Sequence, residues 1–396
     1  MNTTEIDHVM NSYAASGEIT GGTLCVFSGG EQIYKNSWGS DPHDAIYRMA
    51  SISKVMTAVG FLKLYDRGLI GLDDEVRRYL PEFTNMQVVD DERISDDPGL
   101  LAAMFGEGTL PQIDIDHLHC VPAERPLTIR DLLTHSSGLG MKTYGILRQM
   151  QIMTPENFQD TLEMRVKRYA QSALDFQPGS DTGYSGTAGF DTLARTMEIL
   201  TQMPFGMYMK QEVFDPLEMT DACYHPTDAQ KSRVVPLYAW NQGNPVDMTH
   251  TDTDYDSLSA FGPAYESGSA GVWCTADDLC RFTQMLCNKG IYKDRRILKA
   301  DTVRKMYTEH AAAYLEDASA PGYEWGLSVR VRQDPARAGS FASKGTFGWS
   351  GAFGTHLFIS PADDIGACFI MNRYDMGGSE SYISKKAEEL VFRIFR

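Results

Sequence analysis

Apolar and polar positions alternate in three modes along this chain, and the changes of mode divide it. Residues 3–15 predict a first helix. Two β-rich runs follow, Thr23 to Phe27 and Gln32 to Asn36, and Ser28-Gly29-Gly30-Glu31 between them reads as a hairpin turn. Ala45 to Met49 predicts another strand, which runs into a helix of about 16 residues beginning near Ser51. That helix, ISKVMTAVGFLKLYDR, is apolar on most faces and should be largely buried, with Gly68 as its C-terminal stop.

The C-terminal third returns to strand patterns at Tyr323 to Val331, Thr355 to Ser360 and Ile365 to Met371, with a turn at Pro361-Ala362-Asp363-Asp364. Ser381 to Phe395 closes the chain as an amphipathic helix. Connections this short imply antiparallel pairing, because parallel strands need long crossovers. Residues 73–261 read as helix and loop. Thr128-Ile129-Arg130-Asp131 has the form of a helix N-terminal capping box, and so does Thr275-Ala276-Asp277-Asp278. The acidic stretch of about 85–125, with Asp90, Asp91, Asp96 and Asp97, reads as an inserted loop, a lid over a site or simply solvated surface. The expected fold is therefore α/β (α+β). An antiparallel sheet flanked by N- and C-terminal helices is built from 1–72 and 262–396, and a mostly helical domain, 73–261, is inserted. A site is expected between the two.

The 396 residues are 42% hydrophobic, enough for a large core, and no run is long and apolar enough for a membrane helix. The net charge of −17 argues against nucleic acid or an anionic membrane surface as partner. Seven cysteines without a Cys-x-x-Cys pair, and an N-terminus without a basic-then-apolar signal, are read as reduced thiols in a cytoplasmic protein. Oligomeric state is left open. Asp114, Asp116, His117, His119 and Cys120 have no metal-motif spacing, so neither a metal nor another cofactor is expected.

Candidate chemistry gathers where strand meets buried helix. Ser51-Ile52-Ser53-Lys54 places a lysine three residues after a serine, on the same helix face, and this spacing of Ser and Lys occurs nowhere else in the chain. A serine hydroxyl is a poor nucleophile without a base, and a lysine inside an apolar helix loses hydration, which favours its neutral amine. Tyr184-Ser185-Gly186 follows the turn-rich Phe176 to Ser180, and a phenol beside a cation can act as a general base. Gly348-Trp349-Ser350-Gly351-Ala352 precedes a strand. Its small residues allow a substrate to approach the backbone, whose N–H groups can bind an oxyanion.

These three segments, in this order, resemble the serine β-lactamase and penicillin-binding-protein superfamily, and its class C branch in particular. Tyr47 to Lys54, Gly71-Leu72-Asp73-Asp74, Tyr79-Leu80-Pro81-Glu82, Leu127 to Leu139 and Ser269 to Trp273 strengthen the likeness, which covers about 20 to 375. The resemblance implies that Ser51 is acylated, that Lys54 and Tyr184 shuttle its proton, and that the N–H groups of Ser51 and Ala352 form the oxyanion hole. It makes His135 structural. Two departures bear on substrate. Gly186 stands where the β-lactamases have a side-chain amide, and Trp349-Ser350-Gly351 stands where they have Lys-Thr-Gly or relatives have His-x-Gly. Indole cannot pair with a substrate carboxylate as an ammonium does. Both changes look like those of the family's esterases, so a carboxylesterase acting on a small neutral ester or amide is expected. The alternatives are a β-lactamase or D-amino-acid peptidase and, more distantly, a non-catalytic binding protein of the same fold. An α/β-hydrolase is disfavoured because only near misses of Gly-x-Ser-x-Gly occur, such as Ser267 to Gly271.

Overall fold

A computed structural model of the chain describes residues 3–95, 100, 112–241, 243–248, 262–310, 320–378 and 381–396. Strands β1 (Gly21–Ser28) and β2 (Glu31–Gly39) form the predicted hairpin, turned by Gly29 and Gly30, both at positive φ. In chain order β3 (Ile46–Arg48), β4 (Gln87–Val89), β5 (Cys120–Pro122), β6 (Tyr238–Asn241), β7 (Asn244–Asp247), β8 (Trp273–Thr275), β9 (Ile291–Tyr292) and β10 (Arg295–Arg296) follow. They make the pairs β3–β8, β4–β5, β6–β7 and β9–β10. The last strands are β11 (Tyr323–Trp325), β12 (Arg330–Arg332), β13 (Phe347–Ser350), β14 (His356–Ser360) and β15 (Ile365–Ile370). They join the hairpin in one antiparallel sheet of order β11-β12-β13-β14-β15-β1-β2. The closing pair, β1 with β15, unites the two ends of the chain.

Six helices position the site: α1 (Thr4–Ser16), α2 (Ile52–Asp66), α3 (Ile129–Leu133), α4 (Ala188–Thr201), α5 (Ala276–Cys287) and α6 (Tyr382–Phe395). On one sheet face, Ile6 and Met10 of α1 and Ile383, Leu390 and Val391 of α6 pack with Leu24, Val26 and Phe369. On the other, α2 and α5 pack with Cys25, Phe27, Leu357 and Ile359. With both faces covered, β1 is buried at every position but its last. The capping boxes at Thr128 and Thr275 are both formed, and Gly68 adopts φ +71 just past the end of α2.

Two expectations are corrected. Tyr323 to Val331 is not one strand but two, β11 and β12. The chain reverses between Gly326 and Val329, with Ser328 at φ +70 and its N–H on Leu133 O (2.7 Å). The seven cysteines are not all reduced: Cys25 of β1 and Cys280 of α5 form a disulfide with their Cα atoms 6.3 Å apart. The pair is 255 residues apart in the chain, so spacing could not reveal it, and the cytoplasmic reading loses the support it drew from reduced thiols. The acidic stretch is tied at its base by the β4–β5 pair. Asp96, Asp97 and the rest of its centre, 96–99 and 101–111, lie outside the described residues. Among the described residues no helix is long and apolar enough to cross a membrane.

Candidate active site

Strand β3 aims the chain at the site. It pairs with β8, and the next residue, Met49, donates its N–H to Val272 O (3.0 Å). Ala50 then takes φ +46, a left-handed conformation that a non-glycine residue adopts at a cost, and turns the chain sharply so that Ser51 stands at the head of α2. Twelve of the fifteen α2 residues are buried, Lys54 among them with no exposed surface. A lysine nitrogen held without water needs hydrogen-bond partners. Lys54 Nζ has three: Gly186 O at 2.6 Å, Ser269 O at 3.1 Å and Ser51 Oγ at 3.5 Å.

Tyr184 completes the group. Its hydroxyl lies 2.6 Å from Ser51 Oγ, and Lys54 Nζ sits 4.9 Å from the centre of its ring. The indole Nε1 of Trp349 donates to the same hydroxyl at 3.4 Å. The structure thus brings Ser51, Lys54, Tyr184 and Trp349 together from α2, a loop and β13. Gly186 contributes its carbonyl to Lys54, so the missing side-chain amide is replaced by backbone on that side.

Gly351 stands beside Met49 and Ala50, the two residues that lead to Ser51. A Cβ on Gly351 would lie 2.3 Å from Met49 O, so only glycine lets the end of β13 press against the segment that leads to Ser51. Gly351 N–H is bound to Thr355 O (2.7 Å), and Thr355 Oγ1 donates to Met49 O (3.1 Å). Among the described residues the backbone N–H groups of Ser51 and Ala352 have no acceptor. These are donors of the kind an oxyanion requires. Ser350 departs from the expected role: its hydroxyl is turned to the opposite sheet face, 2.8 Å from His356 Nδ1, and can offer a substrate only its backbone. Trp349 and Ser350 are neighbours in a strand, so their side chains point to opposite faces.

Three residues around the site escaped the sequence reading or were only half seen. Trp325, at the end of β11, lies 4.7 Å edge-on from Trp349 and 5.9 Å from Tyr184, ring centre to ring centre. It is 24 residues from Trp349 in the chain, and no local motif marks it. His135, the expected structural histidine, is fully buried at φ +54, 4.3 Å from Trp325 and 5.0 Å from Tyr184. Its Nδ1 accepts the Ser185 N–H (3.1 Å), and burial, followed by the charges of Lys54 and Arg330, holds it well below the ordinary histidine range, as the neutral ring. Asp191 of α4 is buried too, and accepts from Tyr265 and from Ser267 Oγ (2.9 Å) and Ser269 N (3.1 Å). It fixes the segment whose Ser269 carbonyl holds Lys54. The stretch Ser267 to Gly271, a near miss for another hydrolase motif, is therefore a support for the lysine. Asp114 and His117 pair on the exposed surface (2.8 Å), remote in role from this group.

The family model described as Beta-lactamase matches residues 6–390. Esterase EstB of Burkholderia gladioli is 27% identical over 396 residues, covering 93% of this chain and 89% of that protein. The D-alanyl-D-alanine-carboxypeptidase/endopeptidase AmpH of Escherichia coli K12 is 24% identical over 93% of this chain and 82% of its own length. Among solved structures, EstCE1, described as a hydrolase with promiscuous acyltransferase activity, superposes with a TM-score of 0.77. It is 22% identical, and the match covers 98% of both chains.

Proposed function

Since the chain belongs to the Beta-lactamase family and is a serine hydrolase, we propose that it is a carboxylesterase that cleaves small neutral esters through an acyl-enzyme on Ser51. Tyr184 takes the Ser51 proton across the 2.6 Å contact, with Lys54 Nζ 4.9 Å from the centre of its ring. Ser51 Oγ attacks the ester carbonyl, and the N–H groups of Ser51 and Ala352 stabilise the oxyanion. Tyr184 returns the proton to the departing alkoxide. Water, activated along the same path, then releases the acid.

The observation that carries the ester reading is Trp349. A lysine in place of Trp349 would set an ammonium beside Tyr184 and select acyl donors bearing a carboxylate, whereas the indole and its edge-on partner Trp325 set aromatic rings there, with the Arg330 guanidinium stacked 4.9 Å from the Trp349 ring. Its likeness to the esterase EstB supports the same reading. Likeness to AmpH favours the second reading, cleavage of a D-alanyl peptide or a β-lactam. Steady-state hydrolysis of p-nitrophenyl esters of graded length, a chromogenic cephalosporin and D-Ala-D-Ala peptides separates the two. The expected order is short or medium neutral esters far ahead of both others. A kcat/KM for the cephalosporin or the peptide above that of every ester sinks the ester assignment.

A further inference from the structure

We propose that a second ligand site lies behind the active-site strand and takes a small organic carboxylate with an apolar or aromatic tail. A cavity of about 380 Å³ opens between the back of β12–β14 and helix α6, within the size range of small-molecule sites. Four cations, Arg330, Arg332, Lys385 and Lys386, border it against two carboxylates, Glu388 and Glu389. That ratio runs against the composition of the chain, where 53 acidic residues outnumber 36 basic ones.

Both carboxylates are already engaged. Glu388 accepts from Arg332 Nη2 (2.7 Å) and His356 Nε2 (3.1 Å), and Glu389 takes Lys386 (2.9 Å). Arg332 is over nine-tenths buried, and its Nη2 also donates to Tyr323 (2.8 Å). The Nε and Nη1 of this guanidinium have no acceptor among the described residues. Buried donors of a charged group without a partner are costly, and a carboxylate settling against one edge of the guanidinium supplies an acceptor that edge lacks. Phe341 and Tyr382 at the border are 56% and 46% exposed, large for aromatic side chains, and offer a tail the apolar contact it needs.

The two sites share the β13 backbone and Arg330, which borders the cavity and stacks 4.9 Å from the Trp349 ring, but the Ser350 side chain turns to His356 and Arg332 turns to Glu388, away from Ser51. The test is calorimetry with 4-phenylbutyrate, on free enzyme and on enzyme labelled at Ser51 with a fluorophosphonate, whose mass shift reports the labelling. Equal affinity in the two forms is expected, with 4-phenylbutyramide bound about tenfold or more weakly. Arg332→Gln should abolish binding. Lys385→Glu, an exposed helix position whose change leaves the fold intact, should weaken it about tenfold. Binding lost on Ser51 labelling would mean that the acid occupies only the ester site, and would overturn the proposal. Equal binding of the amide, or undiminished binding by Lys385→Glu, would overturn it as well.

Discussion

The two faces of β13 differ in what surrounds them. In front, Trp349 joins Trp325, Tyr184 and His135 in an aromatic wall around one buried ammonium, Lys54, whose three acceptors are two carbonyls and the Ser51 hydroxyl. Behind, Ser350, His356, Glu388 and Arg332 form a hydrogen-bonded chain that ends on the Glu388–Arg332 ion pair. Burial alone would raise the Glu388 carboxyl, but the bond from His356 and the charge of Arg332 bring it down to about 2. On one face the cation bonds only to neutral oxygens, with the buried Asp191 carboxylate acting on it from a distance; on the other, Glu388 bonds directly to Arg332 and His356. The difference teaches that burial of a charge has opposite uses according to whether its partners are themselves charged.

The comparison can be broken first at its centre. Ser51→Ala should lower ester hydrolysis by about 10⁴-fold or more with the fold intact, measured by steady-state kinetics and circular dichroism. Tyr184→Phe removes the proton acceptor but keeps the ring, so kcat should fall roughly 10²- to 10⁴-fold with little change in KM. Undiminished turnover by either variant would place the chemistry elsewhere.

Behind the strand the effect should be on stability. Glu388→Gln leaves Arg332 buried without its counter-charge, and chemical denaturation should show a loss of about 3 kcal/mol. Trp349→Lys sharpens the front face. The KM for neutral butyrate esters should rise about tenfold while hydrolysis of carboxylate-bearing donors increases, which a parallel assay of an ester and a cephalosporin would reveal.

The smallest expected effect is in pH. Folding holds His135 neutral, so below its ordinary value of 6.5 the unfolded chain binds a proton that the folded chain does not. Stability should therefore fall as pH drops below 6.5, by up to about 1.4 kcal/mol per unit. Asparagine also tolerates the left-handed backbone at this position, and His135→Asn should flatten that slope in denaturation curves taken at pH 5 and 6.5.

Much of this was legible in the order of residues. The hairpin, the buried helix after Ser51, both capping boxes, the final helix and the Ser51–Lys54 spacing are all local, set by periodicity over one or two turns or by hydrogen bonds within four residues. What lies between elements was not. The Cys25–Cys280 disulfide, Trp325 beside Trp349, Asp191 beneath Ser269 and the turn of Ser350 toward His356 each depend on which strands and helices become neighbours. A strand pattern says that Trp349 and Ser350 part ways, but not which of them meets the serine. That choice belongs to the register of β13 on β14 and to the helices on either side, where packing of distant segments decides which face is wall and which is scaffold.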